Sequence, residues 1–228
     1  MRLSIVIPVL NEEATLERAV ERAWATGAAE VIVVDGGSRD DTVSLARRLN
    51  CRLLESAPGR AWQMNAGAAR ATGDVLLFLH ADNWLPDGAA AQIAHAMESA
   101  DLVGGAFRQA IGARGRIYRW IECGNACRVR LWGAAYGDQG IFVRRSVFEQ
   151  HGGYPEVPLL EDLYFARALR RRGHLALLPG PLHVSARRWQ QYGVVRQTLR
   201  NWLILAAAAL GVSPARLARW YRPHGGAR

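Results

Sequence analysis

The chain has 228 residues, half of them hydrophobic, with 29 basic and 20 acidic side chains and a formal net charge of +9. That length and apolar content fit one large domain, or one domain with a short appendage, and exclude a disordered chain. Every basic residue is arginine, which excludes chemistry built on a lysine, such as a Walker A loop or a Schiff base.

Charge is divided unevenly. Residues 1–113 carry 10 Arg and 14 acids, net −4, whereas residues 114–228 carry 19 Arg and 6 acids, net +13. A basic second half suits substrate phosphates, an anionic membrane surface or nucleic acid. Arginine-rich composition without functional meaning is the plain alternative. Cys51, Cys123 and Cys127 have neither zinc-site nor disulfide-framework spacing, and predict three reduced, mostly buried thiols. Met1-Arg2 leads directly into an apolar strand pattern, so no signal peptide is expected. The most apolar run, residues 202–212, falls short of the ~20 residues that span a bilayer. A cytoplasmic location is expected, with peripheral contact at the inner membrane face left open.

Residues 3–9 predict a strand, and residues 12–26 a helix with Leu16, Ala19, Val20 and Ala23 on one face. Residues 30–34 form a second strand, and Asp40 or Asp41 can cap a helix running to about residue 49. A short strand at 52–54, a helix at 60–71 and a strand at 74–79 follow, and Pro86 opens the next helix. This alternation predicts a parallel, doubly wound α/β sheet. Beyond Asp101 the pattern loosens: a strand at 102–107, a helix at 115–127, a strand at 140–144 and a helix at 161–172. Gly173 stands where a C′ glycine would end that helix. A short strand at 175–178, a long helix at 190–211 and a last helix from Pro214 complete the prediction.

In an open α/β sheet, ligands bind beyond the carboxyl ends of the strands. Three such ends are polar here: Asn11-Glu12-Glu13, Asp35-Gly36-Gly37 and His80-Ala81-Asp82. The glycines let a ligand approach the backbone, and the carboxylates can hold a hard cation. The pattern points to an enzyme that handles a nucleotide.

The succession SIVIPVLNEE, VVDGGSRDDT, GDVLLFLHADN and LLEDLYFARALRRRG, spanning about residues 2–173, resembles the family 2 glycosyltransferases of GT-A fold. PGRAWQMNAGA, YGDQGIFVRR and SARRWQQYG are similar to a small bacterial subgroup named for arsenosugar biosynthesis. The resemblance implies a mostly parallel, Rossmann-like sheet flanked by helices over residues 1–185. Residues 186–228 would be a basic and apolar helical segment packed on the same domain. It also implies an inverting transfer from a nucleotide-sugar donor, a UDP-sugar first, to a small-molecule or lipid-linked acceptor. A divalent cation, Mn²⁺ or Mg²⁺, would assist. Nucleic acid is not an expected partner, since only the net charge favours it. A homodimer or membrane contact through the long C-terminal helix stays open.

By the resemblance, Asp35 accepts the imide N–H of a uracil, and a first strand–helix loop with Pro8, Asn11 and Glu12 surrounds the nucleoside, where Gly36 gives it room. A turn-capping Asp35 and an ordinary first-turn helix acid at Glu12 are the alternatives. Asp82 matches the last position of the family's Asp-X-Asp metal motif, but His80 replaces the first Asp. An imidazole suits Mn²⁺ better than Mg²⁺; otherwise His80 contacts the ribose or a water. Arg60, with Gln63 close behind, can clamp the diphosphate or nucleobase through its planar fork, or can simply face solvent. Glu161-Asp162 matches the family's Glu-Asp pair, whose Asp takes the acceptor's proton; a helix-capping pair is the alternative. Asp138 and Gln139 would line the sugar or acceptor pocket. Arg187, Arg188 and Trp189 would meet the diphosphate and the acceptor, or form a basic turn with a core tryptophan. Two rival functions remain: a nucleotidyltransferase, and a non-catalytic nucleotide-sugar or membrane-surface protein. The first would want a glycine-rich activating loop where Asn11-Glu12-Glu13 stands, and intact Asp82 and Asp162 weigh against the second.

Overall fold

The computed structural model describes residues 1–133 and 135–220. Its elements are β1 (Leu3–Val9), α1 (Leu16–Ala25), β2 (Glu30–Asp35), α2 (Thr42–Ala46), β3 (Arg52–Glu55), α3 (Arg60–Ala68), β4 (Val75–Phe78) and α4 (Ala89–Ala96). There follow β5 (Leu102–Ile111), α5 (Arg116–Trp132), a 3₁₀ turn (Gly137–Gln139), β6 (Ile141–Arg144), α6 (Arg145–His151) and α7 (Glu161–Arg170). The chain continues through β7 (His174–Val184), α8 (Arg187–Tyr192), α9 (Val194–Ala209) and α10 (Pro214–Trp220). The seven strands form one sheet in the order β3-β2-β1-β4-β6-β5-β7. β1 pairs in parallel with β2 and β4, β2 with β3, and β5 with β7. β6 runs antiparallel to both β4 and β5. The expected mostly parallel α/β sheet is observed, with one reversed strand joining its two parallel groups.

β1 explains the layering. Its side chains alternate between faces. Ile5, Ile7 and Val9 enter one cluster with Leu16, Ala19, Val20 and Ala23 of α1, while Val6 enters a second with Ala61, Met64 and Ala68 of α3. Both faces are covered, which is why β1 and β2 read as unbroken apolar runs. A Cβ on Gly67 would lie 2.4 Å from Val6 Cγ1. The missing side chain lets α3 lie close on the sheet and sets its first turn over the ends of β1 and β2.

Several elements depart from expectation, each for a visible reason. α1 begins at Leu16 rather than residue 12, because Asn11 takes a left-handed φ of 56° and residues 11–13 bond sideways to the next loop. β7 runs through Val184, since β5 itself extends to Ile111 and pairs with it along most of that length. The expected helix at 190–211 is broken at Gly193, whose φ is +80°, and α8 starts already at Arg187. α6 was not anticipated; it is short and buries only Phe148. Gly173 does not cap α7, which ends at Arg170. It instead makes room for Val103, whose Cγ1 would lie 2.5 Å from a Cβ. Cys123 and Cys127, expected to be buried, are exposed on α5, and Cys51 is half-buried.

α9 and α10 pack on each other and reach the body through Ile204, Leu217 and Leu159. Among the described residues, no helix is long and apolar enough to cross a membrane.

Candidate active site

The loops after β1 and β2 are laced together by side chain to main chain bonds. Asn11 N donates to Ser38 Oγ at 2.9 Å, and Arg39 N donates back to Asn11 Oδ1 at 2.8 Å. Glu12 N donates to Thr42 Oγ1 at 2.8 Å, and Asp41 N to Glu13 Oε2 at 3.0 Å. Pro8 was expected on this loop. It lies buried inside β1 opposite Val34, because the pairing with β2 continues to Val9.

Asp35 is buried at the tip of β2. Its Oδ2 accepts from Gly37 N at 2.8 Å and Ser38 N at 3.0 Å, and its Oδ1 from the Ser38 hydroxyl. The carboxylate therefore shapes its own turn. Ser38 N also reaches Oδ1, at 3.3 Å, so the roughly four acceptor sites of the carboxylate all meet donors of its own turn. Gln63 spends both amide hydrogens on strand ends, donating to Val9 O at 2.7 Å and Val34 O at 2.8 Å. A Cβ on Gly36 would strike that amide at 2.9 Å. Gln63 is thus a tie between strands, with only its oxygen left for a ligand.

Arg60 opens α3 and pairs through Nε with Oε1 of buried Glu161 at 3.1 Å. Burial works against the guanidinium's charge, but Glu161, Asp162, Asp138 and Asp82 more than offset it and raise its pKa. Four carboxylates, from β4's end, the 3₁₀ turn and α7, therefore act on one cation. The Glu161 carboxyl is pushed up by burial, pulled back by Arg60 and pushed further by Asp162. Asp162 accepts from Gly137 N at 2.5 Å and from Leu163 N at 2.7 Å. A Cβ on Gly137 would sit 2.6 Å from His80 Nε2 and 3.3 Å from Asp162 Oδ2. Imidazole and carboxylate close on the same small volume, which only glycine leaves free.

Five further residues line this region: Asn83 and Tyr136, which lie in the segments GDVLLFLHADN and YGDQGIFVRR but carry no expected role there, and Gln109, Asn125 and Arg128, which lie in no such segment. Arg128 stacks on the Tyr136 ring at 3.6 Å and donates to Asn125 Oδ1 and Gln139 Oε1, each at 2.8 Å. Gln109 Nε2 donates to Asp138 O at 3.0 Å, and Gln109 Oε1 accepts from Asn125 Nδ2 at 2.6 Å. Asn125 and Arg128, three apart on a helix, offered the one spacing signal, and Asn83 directly follows Asp82. Asp138 Oδ1, Gln139 Nε2, the Tyr136 hydroxyl and both amide atoms of Asn83 are buried without a hydrogen-bond partner. Buried polar atoms are ordinarily paired, so this cluster is built to meet polar groups that come from outside the chain.

Burial raises the Asp138 carboxyl, Arg128 draws it down, and Asp162 pushes it up again, for a net rise above its ordinary value of 3.8. The folded state then holds this proton more tightly than the unfolded chain, so the carboxyl's contribution to stability falls as pH rises through the interval above 3.8. Asp138→Asn removes that loss. Its melting temperature relative to the parent should be a few degrees more favourable at about pH 7.5 than at about pH 4. An equal difference at both pH values would show that burial does not burden this carboxyl.

The second half of the chain brings charge to the loop after β1. Arg187 is exposed at the start of α8, and its charge reaches Glu12. There burial raises the carboxyl, the Thr15 hydroxyl lowers it, Asp82 raises it and Arg187 lowers it, with a net rise. Trp189, by contrast, is buried in the core with its ring edge-on to Tyr118 at 6.4 Å, as the core alternative anticipated. The side chain of Arg188 lies outside the described residues.

Asp82 is exposed beyond β4, with half-buried His80 two residues before it. Among the described residues, no group of three or more His, Cys, Asp or Glu is placed to hold a metal ion by itself. A hard cation bound by one carboxylate and completed by substrate phosphate oxygens fits such a site, because Mg²⁺-type ions are commonly held that way.

Residues 4–152 match the family described as Glycosyl transferase family 2. The chain is 31% identical over 210 residues to a PGL/p-HBAD biosynthesis glycosyltransferase of Mycobacterium tuberculosis, covering 86% of this chain and 79% of that protein. Mannosyltransferase PcManGT from Pyrobaculum calidifontis, solved with GDP-Man and Mn²⁺, superposes with a TM-score of 0.63 at 19% identity. That alignment covers 96% of this chain and 68% of the other. S. aureus TarS 1-349 in complex with UDP gives a TM-score of 0.61 at 16% identity over 81% of this chain, which spans 60% of the TarS chain. The two solved structures share the sheet and its flanking helices, and the family match adds the chemistry. This chain belongs to glycosyl transferase family 2 and is a glycosyltransferase of GT-A fold.

Proposed function

We propose that the chain moves a sugar from a UDP-linked donor to an acceptor hydroxyl, with inversion at the anomeric carbon. The observation that carries this is the approach of His80 Nε2 and Asp162 Oδ2 to one point at Gly137. It brings a metal-side strand end and a candidate base into one small site. Asp162 takes the proton of the acceptor hydroxyl as that oxygen bonds to the anomeric carbon. The bond from this carbon to the diphosphate oxygen breaks, and the nucleoside diphosphate leaves from the opposite face. A divalent cation, Mn²⁺ or Mg²⁺, held by Asp82 with His80 beside it, would offset the negative charge gathering on the diphosphate. Arg60 and Arg187 add fixed positive charge within reach of the same end.

The two solved neighbours carry different nucleotides, GDP-Man in one and UDP in the other, so base choice rests on Asp35, whose long 3.3 Å contact from Ser38 N to Oδ1 is the one an incoming imide N–H would replace. Asn11, Glu12 and Gly36 frame the nucleoside above it, while Asp138, Gln139 and Asn83 meet sugar hydroxyls with their unpaired atoms. The acceptor is a small molecule or a lipid-linked one. The segments that resemble the arsenosugar subgroup contain Arg60, Gln63, Asp138 and Gln139, and the resemblance leaves the acceptor unnamed. Residues 1–185 serve as the transferase domain, and the segment from residue 186 packs on it through Trp189 and Ile204.

Thermal melting with UDP, GDP and ADP, with and without Mn²⁺, tests this directly. At about 100 times its dissociation constant a ligand adds about 2.7 kcal/mol of stability. UDP with metal is expected to raise the melting temperature, and Asp35→Ala to abolish the rise. Asp35→Asn, which keeps an acceptor for the turn, separates lost recognition from a lost turn. Equal shifts with all three nucleotides would end the claim that Asp35 selects uracil.

A further inference from the structure

Residues 163–228 contain twelve arginines and no aspartate or glutamate. Within that stretch, α9 buries Gln197 and Ile204 toward the body. On its other side Val195, Leu199, Trp202, Leu203 and, just past its end, Leu210 are exposed. Their spacing of three, four or seven residues makes a single stripe along the helix. The exposure is large: 65% for Trp202, 86% for Leu210 and 57% for Trp220 at the end of α10. Arg196 follows the stripe's edge, Arg216 and Arg219 project from α10, and Arg200 ties the two helices by donating to Trp220 O at 3.0 Å.

We propose that α9 and α10 seat the protein on an anionic lipid bilayer, with the apolar stripe in the headgroup boundary and the arginines on lipid phosphates. Helices that lie in an interface combine tryptophan and leucine on one face with basic residues beside it. Among the described residues no helix is long and apolar enough to span, so this one would lie on the membrane. Charge decides between a bilayer and a second copy of the chain. A two-fold dimer sets the same patch against itself, which here would place arginine against arginine with no carboxylate in either helix. An anionic surface instead sets lipid phosphates against Arg196, Arg216 and Arg219. The inference does not depend on the transfer reaction, so its test succeeds or fails whether or not the donor is a UDP-sugar.

Flotation of the purified full chain with vesicles is the experiment. The chain should float with phosphatidylcholine vesicles containing roughly 30% phosphatidylglycerol, weakly or not at all with pure phosphatidylcholine, and less at about 0.5 M salt. Arg216→Gln with Arg219→Gln should weaken binding by roughly tenfold or more, since each arginine near the surface is worth about a factor of five. Trp202→Ser with Leu203→Ser, and separately Trp220→Ser on the other helix, should reduce flotation while thermal melting stays parental. Equal binding to neutral and anionic vesicles, or no binding to either, would overturn the proposal. So would a concentration-dependent dimer that Leu203→Arg dissolves and that vesicles do not displace.

Discussion

Asp162→Asn is expected to slow sugar transfer by roughly 10²–10⁴-fold, the usual worth of a positioned general base, with UDP affinity unchanged. The carboxylate stands at the start of α7, held by the N–H groups of Gly137 and Leu163, and Asn keeps an acceptor for only one of them. Its amide hydrogens would face the other donor, so a stability loss on the order of 1–3 kcal/mol should accompany the substitution. Measuring transfer well below the melting temperature, beside UDP binding, separates the two effects. A drop in rate with unaltered UDP binding is the signature of a residue that acts in the transfer step. Glu161→Gln should affect rate less, because Glu161 faces Arg60, and should show mainly in the melting temperature. If Asp162→Asn kept full transfer to a verified acceptor, Asp162 would serve only to hold the turn at Gly137–Gln139. Asp138, whose Oδ1 is buried without a partner, would then be the base.

Asp82→Asn should abolish the metal-dependent part of UDP binding, a loss of roughly 100-fold or more, and His80→Ala should cost about tenfold. Asn retains shape and one acceptor but loses the charge that draws a hard cation. The assignment turns on titrating UDP in Mn²⁺ and again in EDTA, for the parent and both variants. Undiminished binding of UDP to the parent in EDTA would transfer the diphosphate to Arg60 and Arg187. It would also leave Asp82 as one more carboxylate acting on Arg60.

The strand ends were legible because they combine two signals, a β-branched run and an abrupt polar close, that no helix of this chain imitates. Asp35, Asp82 and Asp162 stood on such ends or at a helix start; the structure sets Asp82 and Asp162 around Arg60 and Asp35 at the tip of β2, two strands from β4. Gln63 was harder: a side-chain amide has the same chemistry whether it faces a ligand or two main-chain carbonyls, and only the fold reveals the second. Gln109, Asn125 and Arg128 gave still less, since β5 and α5 meet the turn before β6 through tertiary packing that no local pattern encodes. The far half of β7 was hidden by Leu178-Pro179-Gly180-Pro181, which reads as a turn. At the sheet's edge prolines are tolerated, and pairing with β5 carries the strand onward. Helix starts failed where Asn11 bonds across to Ser38 and Arg39 instead of entering α1.

The reversed strand β6 also sets an order of assembly. The β1–β2 and β2–β3 ladders join Ser4 to Glu30 and Ile32 to Arg52, partners close along the chain, whereas β4–β6 and β5–β7 join Val75 to Arg144 and Leu102 to His174. Closing the longer loops costs more entropy and comes later. During synthesis from the amino terminus, the laced loops of Asn11 and Asp35 can form while Asp138 and Asp162 are still to be made. The carboxylates of the far half reach Arg60 only when β6 has docked between its neighbours.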